Sequence, residues 1–302
     1  MFDYDATVPL DVRIVSTREQ DGARVHDLTY ASPRALRVKS YLVVPPGSGP
    51  FPGLLFLHWG FGSRASFLTE ALAYARAGAV SLLIDAPGLG SREREEKPRL
   101  DQSDSARRFL FQCITDLRRG VDLLCAREEV DRQRLAYVGH SLGASVGGPF
   151  LGAEERVRSA VLMAGFGELS RGWSMVPNER YTEELRPYDG IRHLGASKAA
   201  FLFQFATRDE FISRESAQRF HDAAPEPKRP AWYEADHRMG PEALRDRAGW
   251  LRERLGLTPP AEDATWLAGV KLPREDLVKY SIAKPFMAAL SFFLKLRGAR
   301  SS

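Results

Sequence analysis

The sequence predicts a doubly wound α/β fold with a mostly parallel sheet, preceded by antiparallel N-terminal strands. Three observations carry this. Continuous apolar runs such as Gly53-Leu-Leu-Phe-Leu-His58 and Ala79-Val-Ser-Leu-Leu-Ile-Asp85 have the pattern of strands buried on both faces. Helical stretches alternate with such runs, as parallel strands joined by crossover helices require. The 302 residues are 44% hydrophobic and 27% charged, ample for one large core.

The elements read in order. Residues 11–19 and 24–30 are β-like and flank Asp21-Gly22, a hairpin turn signal, and 36–44 is a third run. Pro45-Pro46-Gly47-Ser48-Gly49-Pro50 breaks the chain. The strands at 53–58 and 79–85 enclose a helix over 64–77. In a second helix, about 102–129, Phe109, Cys113, Leu117, Val121, Leu124 and Cys125 recur three or four apart on one face. Strands near 134–138, 159–164, 199–206 and 230–235 then alternate with helices near 141–152, 213–223 and 241–255. No internal repeat is present.

These elements define one α/β domain over 1–256. Within it, residues 165–198 carry Trp173, Met175, Tyr181 and Tyr188, with turns around Pro177 and Pro187. They form either a small cap that lines the substrate site or an ordinary surface excursion. Residues 257–302 are a C-terminal extension: a linker, Thr258-Pro259-Pro260-Ala261-Glu262, then a helix beginning at Pro285. Phe286, Leu290, Phe293 and Leu294, widened by Met287, give that helix an apolar stripe. Packing on the core or in a homo-oligomer is expected, ahead of a membrane surface.

Charge and cysteine content narrow the function classes. The net charge is +4, but basic and acidic residues interleave, as in Ser91-Arg-Glu-Arg-Glu-Glu-Lys97. No nucleic-acid partner is expected from that pattern. Cys113 and Cys125 share one helix, roughly 18 Å apart along its axis at 1.5 Å per residue, too far to bridge. The start, Met1-Phe2-Asp3-Tyr4-Asp5, lacks the apolar segment of a signal peptide. A reducing cytoplasm is therefore the expected location. Neither Cys/His ligand spacing nor H-E-x-x-H occurs, so no metal and no cofactor are expected.

The chemistry centres on Gly139-His140-Ser141-Leu142-Gly143, set between a strand and a helix of small residues. G-x-S-x-G in that setting is a nucleophile elbow. The glycines flank a turn too sharp for a Cβ, which lifts the Ser141 hydroxyl toward the free N–H groups of the following helix. The partners should follow later strands, in the order Ser, acid, His. Asp209 follows the 200–206 run and His237 lies 28 residues further on. Glu210 and Asp236 are the nearest substitutes for the acid. Oxyanion stabilisation needs two N–H donors. Leu142 is one, and the loop His58-Trp59-Gly60-Phe61-Gly62 supplies the other, Gly60 ahead of Trp59.

Five blocks in order carry a resemblance: Leu54-Leu-Phe-Leu-His58-Trp-Gly-Phe-Gly62, Leu83-Ile-Asp-Ala-Pro-Gly-Leu-Gly90, Val138-Gly-His-Ser-Leu-Gly143, Thr207-Arg-Asp209 and Asp236-His237. Together they resemble the dienelactone-hydrolase-like branch of the α/β-hydrolases, which also holds serine esterases and acyl-peptide hydrolases. The resemblance spans roughly 35–255 and implies an α/β-hydrolase fold with Ser141, Asp209 and His237 as triad. Two departures stand out: a serine replaces the cysteine nucleophile of dienelactone hydrolases, and His58-Trp59 replaces the usual His-Gly pair. The expected function is hydrolysis of a small-molecule carboxylic ester through acyl-Ser141. The alternatives are an acyl-aminoacyl peptidase or thioesterase, and a non-catalytic hydrolase fold used for binding.

Overall fold

A computed structural model describes residues 1–33, 36–92, 99, 101–172, 179–260 and 264–285. The strands are β1 (Arg13–Gln20), β2 (Ala23–Ala31), β3 (Arg37–Val44), β4 (Phe51–Leu57), β5 (Val80–Ile84), β6 (Val130–His140), β7 (Ser159–Met163), β8 (Ala200–Ala206) and β9 (Lys228–Tyr233). The helices are α1 (Leu68–Arg76), α2 (Ser103–Cys125), α3 (Leu142–Ala153), α4 (Leu169–Gly172), α5 (Glu179–Leu185), α6 (Arg214–Asp222) and α7 (Pro241–Leu255). A further helix, α8, runs over 274–285. All nine strands form one sheet in the order β1-β2-β3-β5-β4-β6-β7-β8-β9. β1, β2, β3 and β5 pair antiparallel, and every pairing from β5 through β9 is parallel.

Successive residues of the central strands feed opposite cores, which is why those strands read as unbroken apolar runs. Leu55 and Leu57 of β4, Leu135 and Tyr137 of β6, and Phe201, Phe203 and Phe205 of β8 face α2, α3 and α6. Leu54 and Phe56, Ala136 and Val138, and Leu202 face α1 and α7. Pro52 sits inside β4, where a missing N–H would weaken a central ladder. The β4–β6 register shifts between Pro52 and Gly53, and Gly53 then pairs with Leu135.

Helix α1 starts four residues later than the apolar pattern predicts. The residues before it are committed to the loop: the Ser63 N–H donates to Ser66 Oγ at 3.0 Å, the Arg64 N–H to Asp85 Oδ1 at 2.6 Å, and the Arg64 guanidinium to Asp27. In the 165–198 segment, Tyr181 and Leu185 are buried in the core that α2 and α3 share, and Ser103 of α2 donates to Glu184. Trp173, Met175 and Pro177 lie outside the described residues, as do Phe286, Met287, Leu290, Phe293 and Leu294. Cys113 and Cys125 of α2 are both free thiols, Cys113 buried. Among the described residues no helix is long and apolar enough to cross a membrane.

Candidate active site

The site forms at the carboxyl ends of the parallel strands, where open α/β sheets bind ligands. Ser141 sits between β6 and α3 with φ 54° and ψ −105°. Such a conformation costs a non-glycine residue about 1–3 kcal/mol and persists only where its surroundings enforce it. Here the Ser141 N–H donates to the Met163 carbonyl at 2.8 Å. The flanking glycines permit the turn by close approach. A Cβ on Gly139 would stand 2.5 Å from the Gly143 carbonyl carbon, and one on Gly143 would stand 2.2 Å from the Leu57 carbonyl oxygen. Ser141 is half-buried, its hydroxyl at the foot of α3.

His237 lies in the loop between β9 and α7, with its side chain only 2% exposed. Its Nε2 is 2.8 Å from Ser141 Oγ, and its Nδ1 is 3.0 and 2.9 Å from the two Asp209 carboxylate oxygens. Asp209 follows β8 in a loop pinned to the next strand, where the Thr207 and Arg208 N–H groups donate to the Tyr233 and Ala235 carbonyls. Asp209 Oδ1 also accepts from the Phe211 and Ile212 N–H groups at 2.8 and 3.0 Å. The two other carboxylates near His237 do not face its ring. Glu210 accepts from Tyr280 and pairs with Lys284, and Asp236 pairs with Arg238.

Two further histidines are neutral parts of the frame. Burial, then the neighbouring His237, pushes His140 down to about 3. Its Nε2 therefore carries a proton and donates to the His237 carbonyl at 2.8 Å. His58 is also lowered by burial. The Ala86 N–H donates to its Nε2 at 3.1 Å, so its proton sits on Nδ1 and is donated to the Trp59 carbonyl at 2.6 Å. The His58 carbonyl accepts from the Gly143 N–H at 3.2 Å, which joins this loop to the elbow. Phe211 packs on His237 with ring centroids 4.4 Å apart. Neither the His140 tether nor the Phe211 contact has a sequence signal, since each joins segments set far apart in the chain.

A sequence model of the Alpha/beta hydrolase family matches residues 54–290. The chain belongs to this family. The alpha/beta hydrolase match begins within β4 and takes in the His58 loop, the elbow, both acid and histidine loops and α8. Solved structures similar to this alpha/beta hydrolase include an acetyl xylan esterase from Paenibacillus sp. R4, with a TM-score of 0.72 and 21% identity over 82% of this chain and 90% of that one. Acetyl xylan esterase 1 from Thermoanaerobacterium sp. JW/SL YS485 has a TM-score of 0.71 and 18% identity over 82% and 89%. A cold-adapted esterase from an Arctic intertidal metagenomic library has a TM-score of 0.61 and 16% identity over 80% and 97%. No curated protein matches the chain in sequence.

Proposed function

We propose that this alpha/beta hydrolase is a serine esterase of the dienelactone-hydrolase-like branch, cleaving small carboxylic esters through an acyl-Ser141 intermediate. The observation that carries the reading is the continuous hydrogen-bonded path from Ser141 Oγ through the His237 ring to Asp209. His237 Nε2 takes the Ser141 proton as Oγ bonds to the ester carbonyl carbon, then returns it to the departing alcohol. In the second half-reaction water attacks the acyl carbon and His237 takes its proton, then passes it to Ser141 Oγ as the acyl–Oγ bond breaks and the acid leaves. Asp209 holds Nδ1–H and stabilises the imidazolium in both steps.

The tetrahedral oxyanion needs donors that are already in place. The Leu142 N–H opens α3 and has no intrahelical partner. The other donor in this reading is the Gly60 N–H. A peptide N–H points opposite to the carbonyl of its own plane. The His58 carbonyl faces Gly143, which turns the Trp59 N–H away from the elbow. The next peptide is locked by the His58 bond to the Trp59 carbonyl, which supports Gly60 ahead of Trp59 as the donor.

The neighbours favour esters over peptides. The structures named as esterases are covered nearly end to end, whereas the prolyl endopeptidase structure is covered over only 40% of its length. The test is Ser141→Ala assayed against p-nitrophenyl esters of graded chain length. Removing the nucleophile should cost about 10³-fold or more in kcat and abolish fluorophosphonate labelling without shifting the melting curve. Retained turnover in the folded variant overturns the reading.

A further inference from the structure

Helix α8 brings a buried carboxylate to the loop that holds the oxyanion donor. Asp276 is 2% exposed. Its Oδ2 accepts from the Trp59 indole Nε1 at 3.1 Å and from Ser66 Oγ at 2.5 Å. Trp59 and Ser66 bracket the Gly60-Phe61-Gly62 turn, so one oxygen ties both ends of that turn to one helix. One helical turn further along α8, the Tyr280 ring lies 6.0 Å from the Trp59 ring and 6.4 Å from Phe211. The Tyr280 hydroxyl donates to Glu210 Oε2 at 3.1 Å, and that same oxygen accepts from the His237 N–H at 3.4 Å. Lys284 closes the far end on Glu210 Oε1 at 2.5 Å. A single face of α8 thus reaches the oxyanion loop, the acid loop and the histidine loop.

We infer that α8 is a clamp on the reaction centre, with Asp276 the residue that positions the Gly60 donor by holding the Trp59 indole. This rests on the esterase reading. The physical argument is one of stiffness. Trp59 is 5% exposed, and a buried indole N–H is held wherever it finds its acceptor. Its backbone carbonyl is already held by His58, so the side chain is the remaining freedom of the residue before the donor. Asp276 removes it. Asp276 touches neither substrate nor the reacting atoms, so it is a positioning residue.

The test compares Asp276→Ala, Asp276→Asn and Ser141→Ala in p-nitrophenyl acetate hydrolysis, using the full chain. A donor displaced by about 1 Å costs up to about 10²-fold, so Asp276→Ala should lose about 10- to 100-fold in kcat. KM should change less than about threefold, because the loss falls on the transition state. Asp276→Asn keeps an oxygen acceptor in the same place and should recover most of kcat. Trp59→Phe removes the indole N–H and keeps a ring, and it serves if Asp276→Ala fails to fold. It should lose kcat to a similar extent. Full kcat in folded Asp276→Ala or in Trp59→Phe overturns the inference, as does a loss confined to KM. If Ser141→Ala is active, the esterase reading falls instead, and the two failures remain distinct.

Discussion

The Asp209 carboxylate accepts from two backbone N–H groups and from an imidazole. Its bonds from Phe211 and Ile212 shape the loop, and its contact with His237 Nδ1 sets the tautomer of the ring. An asparagine keeps the first set, because its oxygen can still cap the turn. It turns an NH2 toward Nδ1, which forces the proton onto Nε2 and leaves no base facing Ser141. Asp209→Asn should therefore keep the fold and cost roughly 10²- to 10⁴-fold in kcat/KM. Glu210→Gln, whose side chain faces α8, should cost less than about tenfold by comparison. Steady-state rates beside melting curves decide this, and a crippling Glu210→Gln with a mild Asp209→Asn reverses the assignment of the acid. Asp209 is legible in the sequence because it closes an apolar strand. The Thr207-Arg-Asp209 block ranks it ahead of Glu210, but where the Glu210 side chain turns is not legible, because adjacent residues in a loop point wherever tertiary contacts turn them.

At the scale of the element, the docking of α8 carries a pH dependence. Burial pushes the Glu210 carboxyl up, but the hydrogen bonds from Lys284, the His237 N–H and Tyr280 outweigh it and hold the carboxyl below its ordinary 4.5. A carboxyl depressed in the folded state contributes stability that is complete above its unfolded value and is lost as pH falls through its folded value. Asp236 and Arg238 flank the same contact, with Arg238 over the Tyr280 ring. The protection factors of the α8 amides, taken relative to intrinsic exchange at each pH, should therefore fall as pH drops below 4.5. Glu210→Gln should flatten much of that response, the remainder belonging to Asp236. An identical acid response in Glu210→Gln removes Glu210 as its source.

Across the whole molecule, the two helices on one face of the sheet are tied by a buried ion pair. Glu70 of α1 and Arg247 of α7 are 2% and 8% exposed. They meet through two hydrogen bonds of 2.8 and 2.7 Å. Removing one partner strands a buried charge, which costs about 3–5 kcal/mol, whereas replacing both with apolar groups of similar volume costs far less. Arg247→Ala should thus lower the unfolding free energy by about that amount in urea titration. Glu70→Leu combined with Arg247→Met should recover much of it. Strict additivity of the two single changes would show that the pair is not coupled.

What the amino-acid sequence determined by itself is the local alphabet of this alpha/beta hydrolase. Apolar runs marked β4, β5 and β8 because strands buried on both faces tolerate little else. Gly139 and Gly143 marked the elbow because a Cβ at either would strike backbone. The same local logic set the order of Ser141, Asp209 and His237, since loops after successive strands open on one edge of a parallel sheet. Tertiary structure decided what no local pattern encodes. It exchanged the places of β4 and β5 in the sheet and started α1 at Leu68. It turned Asp209 rather than Glu210 toward His237, and brought Asp276, 217 residues away, onto Trp59. These are contacts between segments distant in sequence, and their formation depends on the packing of the whole core.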